Sequence, residues 1–152
     1  MVTTNTFVTD TVIFLRNNLL TNITDPIQTK RASNEKFVMT SYPERPVKYP
    51  IITVKAANVA DERRLGMRSE LTWMSLPMEV RIWARNVKER DELFQQVYNR
   101  LRSNQFDGGA SSSDDNELHD FLLRNSFDID EEGQSGIKSK ILEVEYKSVI
   151  GG

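Results

Sequence analysis

Cysteine is absent from this chain of 152 residues, which excludes a disulfide framework, a thiolate zinc site and a thiol nucleophile. Histidine occurs once, at His119, so any histidine-based zinc site or Ser–His–Asp arrangement must pass through that residue. No apolar run approaches the length that a bilayer-spanning helix needs, and no membrane partner is expected. The opening residues, MVTTNTFVTD, lack both the basic and the apolar segment of a secretory signal. Synthesis in a cytoplasm is therefore expected, and the Asn22-Ile23-Thr24 sequon carries no weight. A net charge of −2 gives no global case for binding nucleic acid.

What the chain does hold is charge, at 28% of residues, against a modest 38% of apolar ones. That balance suits a soluble chain with some loose segments, and the length suits one domain over residues 1–152. The charge is unevenly placed. Lys30 to Arg102 holds 15 Lys/Arg against 9 Asp/Glu, a net of +6. Asp107 to Glu132 holds 9 acids against Arg124 alone, a net of −8. Two electrically different faces are expected, able to pair with each other or with neighbouring subunits. An acidic solvated loop beside an ordinary mixed surface is the plainer alternative.

The most informative stretch is LPMEVRIWARNVKERDELFQQVYNRLRS, residues 76–103. Its hydrophobic period switches from two to about 3.6, the mark of a strand running into a helix. Met78, Val80, Ile82 and Ala84 share one strand face, and Glu79, Arg81, Trp83 and Arg85 the other. Leu93, Phe94, Val97 and Leu101 make the apolar stripe of the helix. Asn86 stands at the N-cap with Glu89 three residues on, the spacing of a capping box.

Elsewhere, Val8, Val12, Leu15 and Leu19, widened by Phe7, Ile13 and Leu20, predict a helix over 7–21 with Thr6 as N-cap, stopped by Asp25-Pro26. KFVMTSY (36–42) predicts a strand. PERPVKYP, with three prolines in eight residues, predicts a connector leading into the β-branched strand Ile51–Ala57. NVADERRLGMR (58–68) reads as a long connection or β-arm, followed by a strand over 69–76 and a bend or bulge at Pro77. The spans 107–117 and 130–136 read as flexible loops. Leu118, Phe121 and Leu122 suggest a short helix behind a Ser113/Asp114 cap, and SKILEVEYK (139–147) alternates as a closing strand. The expected fold is an α+β two-layer sandwich: a mostly antiparallel sheet of four to five strands, packed by two main helices, with one wetter face.

Chemical candidates are few, and neither a cofactor nor a metal is expected. His119 lies among Ser111–Ser113, Asp114, Asp115 and Asp120, but residues this close in sequence rarely form a triad, and no G-x-S-x-G elbow occurs. Asp128-Ile129-Asp130-Glu131-Glu132-Gly133 opens like a calcium loop, yet Ser139 stands where the bidentate glutamate belongs. Arg63, Arg64 and Arg68, with Arg81, Arg85 and Lys88, offer a basic patch, but acids interleave with them and only Trp73 and Trp83 are at hand for base stacking. Protein–protein contact fits better than phosphate binding. Trp83 on the charged strand face is either covered by arginine stems or a helix, or is an interface anchor.

Several features, taken in order, resemble the tail terminator family of tailed bacteriophages, also called tail-completion or neck proteins. They are the amphipathic N-terminal helix, Tyr49-Pro50-Ile51-Ile52, a charged loop, the strand Val80-Arg81-Ile82-Trp83-Ala84-Arg85 entering a helix, and a closing strand after a polar insertion. The resemblance covers about residues 7–147. It implies a non-enzymatic virion protein of the neck, forming a ring, usually of six copies, that caps the tail tube and docks the head connector. The implied partners are further copies, the tail tube protein, and a connector or head-completion protein, with DNA only passing through the channel. The long acidic stretch departs from the family pattern and leaves open the tail type and any contact with a sheath protein. Arg63, Arg64, Met67, Arg68, Trp73, Arg81, Trp83 and Arg85 are the candidate subunit or tube contacts, with the basic loop and the acidic stretch expected on different interfaces. Alternatives are a head-completion adaptor, a tail-tube relative, or a nucleic-acid-binding accessory domain using Arg63, Arg64 and Arg68.

Overall fold

The computed structural model describes residues 6–31, 35–41, 48–57, 60–64, 71–107, 121–130 and 137–151. In chain order the elements are α1 (Phe7–Asn22), a 3-10 turn (Gln28–Lys30), β1 (Val38–Met39), β2 (Ile51–Ala56), β3 (Asp61–Arg64), β4 (Leu71–Ala84), α2 (Val87–Asp107), β5 (Phe121–Asp130) and β6 (Lys138–Gly151). The described strands form one sheet of six, ordered β1-β2-β4-β6-β5, with β3 pairing β4 beyond the end of β2. Every pairing is antiparallel except β1 with β2. This is the expected α+β sandwich, with more strands than the four to five read from the sequence.

Alternation along β4 builds the core. Met74, Leu76, Met78, Val80, Ile82 and Ala84 are buried toward the helices. Leu142, Val144 and Tyr146 of β6, and Ile52 and Val54 of β2, lie in register on the same side. Burying a side chain of this kind contributes about 1.5–3 kcal/mol. From α2 the stripe supplies Leu93, Val97 and Leu101, with Phe94 partly buried. From α1 come Phe7, Val12, Leu15 and Leu19, the Phe7 ring stacking on Tyr146 at 5.7 Å between centroids. Val8, expected in the stripe, is 39% exposed. The buried face is centred on Phe7, Thr11, Leu15 and Asn18, which leaves Val8 at its margin in the first turn.

Three expectations need correction. Pro77 does not bend the strand: β4 runs through it, opposite Glu145 of β6. Its carbonyl accepts from Ala57 N at 2.9 Å, on the side of β2 and β3. A residue's N–H and C=O point to the same side of an antiparallel strand. The missing proline donor therefore falls in the gap between the end of β2 and the start of β3, and no β4–β6 hydrogen bond is lost. Next, Phe121 and Leu122 belong to β5, not to a short helix, while Leu118 and His119 lie outside the described residues. Finally, α2 extends to Asp107 and β5 to Asp130, so the expected loops begin only after these residues; 108–117 and 131–136 are outside the described set.

The strand-to-helix junction forms as the sequence predicts. Asn86 Oδ1 accepts from Glu89 N at 2.9 Å, the N-cap bond. The Glu89 carboxylate reaches back not to Asn86 but to Arg85, accepting from its backbone N at 3.2 Å and from its guanidinium. That hydrogen bond from Arg85 holds the Glu89 carboxyl below the usual carboxylate range, outweighing the opposing effect of burial.

Candidate interaction surface

Both helices pack on one side of the sheet, so the odd-numbered residues of β4 and β6 form a second face that no described element layers over. Strand alternation fixes its membership. Trp73, Ser75, Glu79, Arg81 and Trp83 come from β4, and Ser139, Ile141, Glu143, Glu145 and Lys147 from β6. From β2 come Thr53 and Lys55. β5 adds Asn125 and Phe127, and Phe127 is 44% exposed opposite Ile141.

At one end of this face the Arg81 guanidinium lies 3.8 Å from the centroid of the Trp83 ring, a close cation–π contact. Each residue is tied to a flanking strand. Trp83 Nε1 donates to Thr53 Oγ1 at 3.1 Å, and Arg81 Nη2 donates to Ser139 Oγ at 3.0 Å. At the other end Trp73 is flanked by Arg63 of β3, 5.5 Å from the ring centroid, and by Lys147 Nζ at 5.9 Å. Between the two tryptophans Glu79 faces Glu143 directly across the strands, with Lys55 Nζ 3.9 Å from Glu79. Glu145 accepts hydrogen bonds from Ser75 Oγ and from Arg124. Burial pushes the Glu145 carboxyl up, but the Ser75 and Arg124 hydrogen bonds and the charges of Arg124 and Lys147 outweigh it and leave the group below the usual range.

The structure brings together part of the expected residue set. Trp73, Arg81, Trp83 and Arg63 share the open face. Arg64 does not, because it pairs with Thr72 and so points to the opposite side of β3 from Arg63. Both arginines belong to a strand, not to a loop, which selects the β-arm reading of 58–68. Arg85 stands past the strand end and is engaged with Glu89. Met67 and Arg68 lie outside the described residues.

Other contacts were not anticipated. Arg31 is buried, its side chain 4% exposed, and binds both oxygens of Asp25, at 2.7 and 3.1 Å. It also donates to the carbonyls of Lys48 at 2.8 Å and Pro50 at 2.7 Å, clipping the approach to β2, whose Tyr49–Pro50 bond is cis. This clip borders an open cleft of about 510 Å³ lined in part by Leu20, Ile23, Glu35 and Phe37. Because the guanidinium is committed to the chain itself, it works as a structural tie. Arg90, also buried, lies 3.1 Å from Asp91 and 3.5 Å from Asp128, binding α2 to β5. Lys140 joins this group, 3.5 Å from Asp128 and 4.3 Å from the Phe94 centroid. Asp128, the first residue of the calcium-loop-like run, thus sits in a strand facing two cations. Only the placement of Lys147 could have been foreseen, since alternation puts it beside Glu143 and Glu145.

Among the described residues no group of three or more His, Asp or Glu side chains is placed to hold a metal ion. No described helix is long and apolar enough to cross a membrane. In comparison with known proteins, the chain matches no family model and no curated protein sequence.

Proposed function

We propose that this protein is a structural component of a phage virion, a tail terminator or closely related neck protein, that caps the tail tube as a ring and presents the surface that joins the head. The observation that carries this reading is the open sheet face. An antiparallel sheet with one face packed by helices and the other fitted with two tryptophans, each against a cation, has the residue types enriched at interface hot spots. The order of elements, ending in the Val80–Arg85 strand that enters α2, supports the same reading through the family resemblance. Neighbours in such a ring meet through different surfaces, so the sheet face of one copy packs on another part of the next.

The separation of Arg63 and Arg64 onto opposite faces of β3 argues against a joint phosphate-binding patch made of these two residues. This favours protein contact over the nucleic-acid-binding alternative. The test is electron microscopy of virions produced without the protein. Tails of uncontrolled length, or tails unable to join heads, are expected; normal tails on normal particles would overturn the proposal.

A further inference from the structure

We draw no further inference here: the strongest candidate, the apolar ridge that Ile13 and Leu20 form on the outer side of α1 beside the cleft at its C-terminal end, carries nothing because no feature of the structure shows what covers it.

Discussion

Arg81 and Trp83 are cross-tied: each side chain bonds the residue that faces the other. Trp83 donates to Thr53, the cross-strand neighbour of Arg81, while Arg81 donates to Ser139, the cross-strand neighbour of Trp83. With the guanidinium 3.8 Å from the indole centroid, the two lock each other across three strands. A locked pair loses little rotamer entropy when a partner docks on it, which is what makes an interface anchor effective. A double-mutant cycle on Arg81→Ala and Trp83→Ala, read by urea unfolding, is expected to give a coupling of about 1 kcal/mol. Arg81→Lys should lose most of it, because a lysine has neither the planar stack nor the fork. A coupling indistinguishable from zero would reduce the pair to accidental neighbours.

The Arg31 clip makes a larger prediction for stability. Removing one partner of a buried ion pair strands the other, at a typical cost of about 3–5 kcal/mol. Asp25 also holds the backbone N of Ile27 at 3.0 Å, so it stays fixed in place when its cation is lost. Arg31→Met should therefore lower the urea midpoint by an amount corresponding to about 3 kcal/mol, with an unchanged denaturant slope. A loss below about 1 kcal/mol, the size of a surface pair, would show that the clip is solvated in solution.

These two cases mark what the sequence could and could not show. The β4–α2 module was readable because its information is local: alternation over Met78 to Ala84, then a cap three residues before Glu89. β5 was misread because Leu118, Phe121 and Leu122 mimic helical spacing. The alternation that would have announced a strand is also broken by the irregularity between Leu123 and Asn125. Pro77 looked like a bend because its tolerance depends on where β2 and β3 stop, which β4 itself does not encode. The Arg31 tie joins residues up to 19 positions apart, and the run around it reads as ordinary polar loop.

Thr11 offers a stabilising change. It is fully buried in α1, and its Oγ1 has no hydrogen-bond partner among the described residues. A buried unsatisfied hydroxyl costs about 1–3 kcal/mol, and valine has nearly the same shape and an allowed helical rotamer. Thr11→Val should raise stability by about 1 kcal/mol, seen as a rise in Tm by calorimetry. A fall in Tm would mean that the hydroxyl is satisfied in solution.

Acid should destabilise the fold through Glu145 and Glu89. Both carboxyls sit below their ordinary value of 4.5 in the folded chain, so below that value the unfolded chain binds more protons than the native one. Their contribution is fully present above the ordinary value and is lost as pH falls through the lower folded values. Tm should be flat on the neutral side of pH 4.5 and decline below it, and Glu145→Gln should shallow that decline. An unchanged acid slope in the variant would remove Glu145 from the account.

The opposite orientations of Arg63 and Arg64 separate two ideas that the sequence left joined. If the basic residues of this segment act together as a patch, either reversal should damage assembly alike. If the open sheet face makes the contact, only Arg63, lying over Trp73, belongs to it. Both arginines are exposed, so neither reversal should change folding stability by more than about 0.5 kcal/mol. Arg63→Glu is therefore expected to prevent incorporation into tails while leaving the chain folded, and Arg64→Glu to be incorporated nearly as well as the unaltered protein. The measurement is the amount of each variant in purified particles from complemented, protein-deficient infections. Equal loss in both variants would return the contact to a shared basic patch, and normal incorporation of Arg63→Glu would remove the Trp73 end of the sheet from the interface.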